Sequence, residues 1–405
     1  MRGLPIVRIF LLFAAGYFLS YAFRSLGSII APDLMRELSL NARELGFLAS
    51  VYFLAFFVVQ APIGIAMDRY GPARVNGVLF GVAAAGSAVF AAGTGFYTLM
   101  LGRALIGLGV AGALMTSFKA FVIWYEPRHR EALTGAITAV GGLAAMVSAS
   151  PAEWAMRAMS WRGLFWVLAA ACLVTSAALL LAAPGPGATP RGAGAAADGG
   201  YARILRSRIF LSYAPLAFFS SGGFSAIQSL WAGPWLIEVA GHSRESAAGV
   251  LFNYGFSLLL GNLLIGAAGA AMQNAPHAPR RWYVGSLAAA VASLGLVIAN
   301  AFPGSSLPWV AYGVTLGAGM LAYPALTRAF PVSIAGRVVT SYNMVMFLGG
   351  FAIQSGMGVA IQAFADAGWT RAAAFQATFA GLLAAQVAAL AWFVALSRDR
   401  DGDRT

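Results

Sequence analysis

Charge is scarce in this sequence. Only 10% of its 405 residues are Asp, Glu, Lys or Arg, while 60% are hydrophobic and the mean hydropathy is +0.76. A soluble globular chain carries about 25% charged and 45–50% apolar residues, so this one cannot cover a water-facing surface. Soluble multidomain enzymes, disordered scaffolds and fibrous proteins are excluded together, and lipid is the solvent. Cysteine is nearly absent: Cys172 stands alone in an apolar run, which excludes an internal disulfide, a Cys-rich metal site and redox chemistry built on either. Lysine is as rare, with Lys119 the only one among 26 basic residues. Acidic residues number 14, and none falls in the middle of an apolar run.

What is abundant is apolar sequence in lengths that cross a bilayer. A helical crossing needs about 20 residues, and a helix with its loop roughly 30–35, so the chain has room for about twelve. The runs lie at 7–31, 44–67, 75–95, 97–124, 134–157, 161–183, 208–238, 245–272, 282–301, 308–329, 338–364 and 371–396. The basic start (Arg2, Arg8) and the full-length first run, with no small-residue cleavage site after it, predict an uncleaved first span. One long polar break, 184–207, contains PGPGATPRGAGAAADGG and reads as a flexible linker. The predicted fold is therefore all-α and integral to the membrane: a six-helix bundle over 1–183, a linker over 184–207 and a second six-helix bundle over 208–405. The halves also match at an offset of about 200 residues: Pro32 with Pro234, Met67 with Met272, and Gly141-Gly142 with Gly349-Gly350. A duplicated six-helix unit around a central cavity is a transporter plan.

The net charge of +12 does not point to nucleic acid, because in a membrane chain the position of the charges carries the information. If the N-terminus is inside, seventeen arginines fall in cytoplasmic segments and seven, counting Arg103, on the opposite side. This split predicts both termini and the linker in the cytoplasm.

Between the second and third runs stands Gly64-Ile-Ala-Met-Asp68-Arg69-Tyr-Gly71-Pro-Ala-Arg74. It resembles the loop signature of the major facilitator superfamily. Arg103-Ala-Leu-Ile-Gly107-Leu-Gly109-Val-Ala111 looks like that family's Arg-x-x-x-Gly-x-Gly-x-Ala pattern, and Trp161-Arg162-Gly163 opening the sixth run is also typical. The resemblance covers the whole chain and implies a twelve-helix secondary transporter working by alternating access. It implies a gating role for Gly64, Asp68, Arg69, Gly71 and Arg74, a loop that latches one conformational state. Read physically, Asp68 can form a charge relay with Arg69 and Arg74, or face a helix N-terminus. Its counterpart in the second half is Gln273, so any latch is one-sided. Arg103 is assigned to gating as well, with snorkelling to the interface as the plainer alternative.

An ionisable residue inside a span is a functional candidate. Arg24, in Tyr21-Ala-Phe-Arg24, has no sequence neighbour to neutralise it. Its Tyr-x-x-Arg spacing is similar to facilitators that carry organic phosphates and other organic anions, although Phe23 and Ser25 replace the Asp or Asn those families often add. Lys119 lies nearer the inner end, where a small anion would meet it in succession with Arg24, or where it snorkels. Gln228, Asn253, Tyr254 and Asn343 of the second half offer neutral hydrogen bonds, or helix-packing contacts. The predicted substrate-binding set is thus Tyr21, Arg24, Lys119, Gln228, Asn253, Tyr254 and Asn343. The seventh run is interrupted by Ser220-Ser221-Gly222-Gly223 and Gly233-Pro234, which mark a helix able to bend or unwind.

A cavity without a carboxylate is a poor site for cations, and Gly141-Gly142 is followed by Leu143 rather than by the pattern usual in the family's drug antiporters. The expected activity is therefore transport of a small organic or phosphate-type anion across a bacterial inner membrane. The alternatives are efflux of neutral or amphipathic compounds, and a non-transporting sensor or assembly factor. No enzyme activity, cofactor or metal is expected; the partners are a small-molecule substrate, a possible coupling ion and the bilayer, with the chain a monomer. The arginine split has a direct check. With Cys172 replaced by Ala, a cysteine introduced at Gly194 should resist impermeant thiol reagents in intact right-side-out cells, and ready labelling would overturn the orientation.

Overall fold

The computed structural model describes residues 4–182, 200–272, 278–331 and 334–402. These residues form helices and short connections. Ten stretches are long and apolar enough to cross a membrane. Span 1 (Leu4–Ser25) continues after a turn at Leu26 as Gly27–Leu38. Span 2 is Ala42–Tyr70, span 3 Pro72–Ala92, span 4 Phe96–Trp124 and span 6 Trp161–Ala182. Span 7 is Arg208–Glu238, span 8 Arg244–Met272, span 9 Ala278–Ile298, span 11 Ala335–Asp366 and span 12 Arg371–Gly402. Two more complete the twelve expected. Span 5 is the bent pair Pro127–Val147 and Ser150–Ala158, and span 10 joins Leu307–Leu316 to Ala322–Thr327 through the 3₁₀ turn Gly317–Leu321.

Local chemistry explains the boundaries. Span 2 opens on a reciprocal cap, in which the Glu44 amide donates to Asn41 Oδ1 at 2.9 Å and the Asn41 amide to Glu44 Oε2 at 3.0 Å. It ends at Gly71, whose φ of 82° suits glycine alone, and Pro72 starts span 3 where no amide donor is required. Span 5 breaks because Pro151, in the first turn of its second helix, cannot continue the preceding hydrogen-bond ladder.

Two expectations need correction. Span 7 neither bends sharply nor unwinds: it stays helical through two π-helical segments, Leu216–Gly222 and Ile227–Trp231, which absorb the small residues without breaking the rod. The stretch 184–207 is not structureless throughout, since Gly200–Leu205 is a short helix with Ile204 fully buried. Residues 183–199 and Gln273 lie outside the described residues.

The repeat seen in the sequence acquires a physical meaning in the contacts. A Cβ on Gly141 would lie 2.9 Å from the Tyr17 ring of span 1, and one on Gly142 would lie 3.0 Å from the Leu259 amide of span 8. In the second half, Gly349 meets the Phe218 backbone of span 7 and Gly350 the Phe53 ring of span 2. The clamps repeat too. Glu37 at the end of span 1 holds Arg162 of span 6 (2.6 Å), and Glu238 at the end of span 7 holds Arg371 of span 12 (3.1 Å). Equivalent residues of the two halves thus make equivalent contacts, which is a pseudo-twofold arrangement of two six-helix bundles.

Helices in lipid gain little from apolar attraction, so close van der Waals packing at small residues holds them. A Cβ on Gly46 of span 2 would lie 3.0 Å from the Gln354 carbonyl and 3.2 Å from the Gly358 Cα of span 11, and one on Gly255 of span 8 would lie 2.8 Å from the Met146 amide of span 5. These contacts between bundles run from the ends carrying Asp33, Glu153 and Arg244, here called the network face, to mid-span at Phe56 and Phe347, whose rings sit 4.5 Å apart. Toward the opposite face, where Leu4 and Gly402 lie and which we call the termini face, Gly64, Gly135 and Gly336 have nothing within 4 Å of a Cβ position. The bundles are joined at the network face and parted at the other. A packing test follows. Gly86→Leu would drive a side chain into the Ile106 amide, 2.7 Å from its Cβ, and should destabilise the protein by about 1–3 kcal/mol in detergent melts. Gly135→Ala should be neutral or slightly stabilising.

Candidate functional site

Tyr17, Tyr21 and Arg24 fall at i, i+4 and i+7 of span 1, a single helical face, and the structure turns that face toward the space between the bundles. The Tyr21 hydroxyl donates to Gln228 Oε1 of span 7 at 3.2 Å. The guanidinium of Arg24 is half-buried and lies within electrostatic range of Tyr52 of span 2, whose hydroxyl donates to the Ser20 carbonyl at 3.1 Å. Rings surround it at 5.2 Å (Tyr21), 5.4 Å (Phe347), 5.5 Å (Phe56) and 6.0 Å (Phe53). Phe347 belongs to span 11, so the cage is built from both bundles. Among the described residues no carboxylate lies within 4 Å of Arg24, and its Nε has no hydrogen-bond partner.

The second bundle contributes acceptors and hydroxyls. Tyr323 donates to Asn343 Oδ1 at 2.5 Å and lies within electrostatic range of Arg24 and Tyr17. Tyr254 is buried against Trp309 and Tyr312, with its hydroxyl unpartnered. The structure therefore joins Tyr21, Arg24 and Gln228 directly, and sets Asn343 and Tyr254 around them. Tyr323, Tyr52 and the phenylalanine cage were missed by sequence reasoning, because aromatic residues in an apolar run give no local sign of which face they occupy.

Two expected members lie elsewhere. Asn253 is exposed and donates to Ser306 Oγ at 3.1 Å. It shares a helical face with exposed Phe256 and Leu263 and points away from span 5. Lys119 does not snorkel free or line the central space: its ammonium pairs with Asp68. That ion pair also replaces the relay expected between Asp68, Arg69 and Arg74, whose guanidinium groups are exposed, with Arg69 stacked on the Tyr70 ring at 5.2 Å. Gly71 makes the tight turn, while Gly64 faces open space.

Arg103 is also relocated. Rather than reaching the interface it is only 3% exposed, over the Phe90 and Phe165 rings at 5.0 and 5.8 Å. Its Nη1 donates to the Phe23 carbonyl at 3.3 Å, just before the break at Leu26. There it occupies a carbonyl beside the interrupted helix ladder and braces the span that carries Arg24.

The network face holds charges that sequence reasoning placed at the surface without joining. Arg244 of span 8 donates to both Asp33 oxygens at 3.0 and 2.7 Å and to Glu153 Oε2 at 2.6 Å. Arg36 reaches Asp33 at 2.8 Å, and Arg157 reaches Glu245 at 2.8 Å. Asp33 and Glu153 are both buried. The bidentate geometry and low exposure make this a strong tie between bundles. Just beneath it, Ser28 Oγ donates to the Gln228 carbonyl at 2.8 Å, and Ser229 Oγ to Gln354 Oε1 at 2.7 Å. A groove of about 810 Å³ between spans 1 and 6 is apolar and faces outward, away from these groups.

Twelve membrane-crossing helices in two like bundles, with charge ties at one face and an uncompensated cation between the bundles, define a class of multi-pass membrane protein. The sequence profile of the Major Facilitator Superfamily matches residues 13–354, and this chain belongs to that superfamily. It is 29% identical over 174 residues to the hexuronate transporter of Bacillus subtilis (strain 168), covering 41% of this chain and 40% of that one. It is 31% identical over 176 residues to the chloramphenicol resistance protein of Streptomyces lividans, covering 42% of each. The chain thus spans less than half the length of these curated relatives. The crystal structure of a D-xylose–proton symporter superposes with a TM-score of 0.76 at 17% identity, covering 96% of this chain and 97% of that one.

The network face gives a test. Arg244→Gln removes both arms of the tie and leaves Asp33 and Glu153 buried without it. A thiol reagent should then reach a cysteine placed at Ala31, fully buried in this structure, at least tenfold faster than in the parent. Asp68→Asn, acting at the other face, should not raise that rate.

Proposed function

We propose that this protein is a secondary transporter that moves a small organic anion by alternating access. The observation that carries the reading is Arg24: a permanent cation, between the bundles, with no carboxylate beside it among the described residues. A guanidinium offers paired donors that match a carboxylate or phosphate, while Tyr21, Gln228 and Tyr323 supply hydrogen bonds for the rest of a polar solute. The phenylalanine faces suit the carbon skeleton. Likeness to a hexuronate transporter supports an organic acid, and the arginine distribution supports a multi-pass protein of a bacterial inner membrane with both termini cytoplasmic. On that reading the structure is closed outward and open inward. The loop of Asp68, Arg69, Gly71 and Arg74, with Lys119 paired to Asp68, latches the inner face only in the opposite state, when the bundles meet there. Gly64 is left clear so that the bundles can meet there when the inner face closes, and Arg103 holds the hinge of span 1.

Likeness to a chloramphenicol resistance protein, together with the aromatic lining, makes efflux of neutral compounds the competing outcome. Thermal-shift titration of purified protein with D-glucuronate, sulfoacetate, glycerol phosphate and chloramphenicol separates the two. Anions should stabilise the parent, and Arg24→Gln should weaken that binding about 10- to 100-fold, the range of a lost charge-assisted hydrogen-bond pair. Lys119→Met should leave it nearly unchanged, because Lys119 is spent on Asp68. Stabilisation by chloramphenicol alone would sink the anion reading.

A further inference from the structure

We propose that this protein is an exchanger, in which the bundles reorient only while an anion neutralises Arg24. The inference rests on the anion reading above and adds the coupling mode. Arg24 is held by Tyr21, Tyr52, Phe53 and Phe56 of the first bundle and by Phe347 of the second. Its remaining side has access to the space between the bundles, which are parted toward the termini face. To expose the site at the network face, the termini face must first close. In that sealed state the guanidinium loses its water, and ring faces replace it only in part.

Nothing titratable nearby offers relief. The groups in reach of Arg24 are the phenols of Tyr17, Tyr21, Tyr52 and Tyr323, which are neutral near pH 7. Every ion-paired carboxylate of the described residues stands at a face. Asp33, Glu37, Glu153, Glu238 and Glu245 are held by arginines at the network face, and Asp68 and Glu126 by Lys119 and Arg128 at the other. None of them can swing to Arg24 without breaking the ties that set the conformation. A carboxylate that releases or binds a proton beside the cation would let an empty carrier return, and no such group is present among the described residues. The neutralising charge has to arrive with the solute. Each outward crossing of one anion is then matched by an inward crossing of another, and a proton gradient does not drive net uptake.

The experiment measures reorientation of the empty carrier, so it does not depend on knowing the natural solute. Ala31→Cys is placed in a Cys172→Ala background and labelled with a maleimide in buffer free of organic acids and phosphate. With Arg24 in place labelling should be slow. Arg24→Gln should raise the rate at least tenfold, whereas Arg24→Lys, which keeps the charge, should stay slow. Melting curves of each variant establish that they are folded. D-glucuronate at saturating concentration should accelerate labelling with Arg24 present and have no effect after Arg24→Gln. Equal empty-carrier rates with and without Arg24→Gln would overturn the exchange mode alone. If D-glucuronate, sulfoacetate and glycerol phosphate all left both the labelling rate and the melting point unmoved, the anion reading would fall and exchange with it.

Discussion

A guanidinium cannot give up its proton near pH 7, and this chain keeps one between two helix bundles with no carboxylate beside it among the described residues. Much of the architecture can be understood from that constraint. The charge is tolerated because the side chain is only half-buried and because four aromatic rings and a tyrosine hydroxyl lie around it. Span 1, which carries it, is braced from behind by a second buried guanidinium, that of Arg103, on the Phe23 carbonyl. The helix break at Leu26 separates the part of span 1 that holds the central cation from the part that carries Asp33 to the network face.

The two faces solve opposite problems. On the proposed transport reading the bundles must be joined yet separable at the network face, and a bidentate Arg244–Asp33 pair with Glu153 provides a tie whose partners can be rehydrated when it opens. Glycine contacts such as Gly46 against Gly358 let the backbones approach there, and they depend on shape, so they are lost abruptly when the helices part. At the termini face the Asp68–Lys119 pair lies within one bundle. It organises that bundle's end without bridging to the other, which suits a conformation in which the halves are apart.

The duplicated plan explains why so few kinds of contact suffice. The glycine pairs of spans 5 and 11 and the Glu–Arg clamps of spans 1 and 7 recur in equivalent places. The central site does not recur: Arg24 has Gln228, Tyr323 and Asn343 opposite it rather than a second cation. On the proposed transport reading, symmetry serves the movement and asymmetry defines the solute.

The sequence by itself determined the solvent, the number and rough limits of the crossings, the two-bundle repeat and the presence of a cation inside span 1. Those properties depend on hydropathy, spacing and composition, which are local. It also singled out Tyr21, Arg24 and Gln228, because a polar group within an apolar run stands out wherever it lies. The partners of these groups were decided only by the tertiary structure. Lys119 and Asp68 are 51 residues apart, and Asp33 and Arg244 are 211 apart; no spacing rule links them. Asn253 shows the converse, a polar residue of the right type that helix rotation turns outward. The bend of span 5, the 3₁₀ turn within span 10 and the π segments that kept span 7 continuous depend on what each helix packs against. Packing, unlike hydropathy, cannot be read from one stretch of chain.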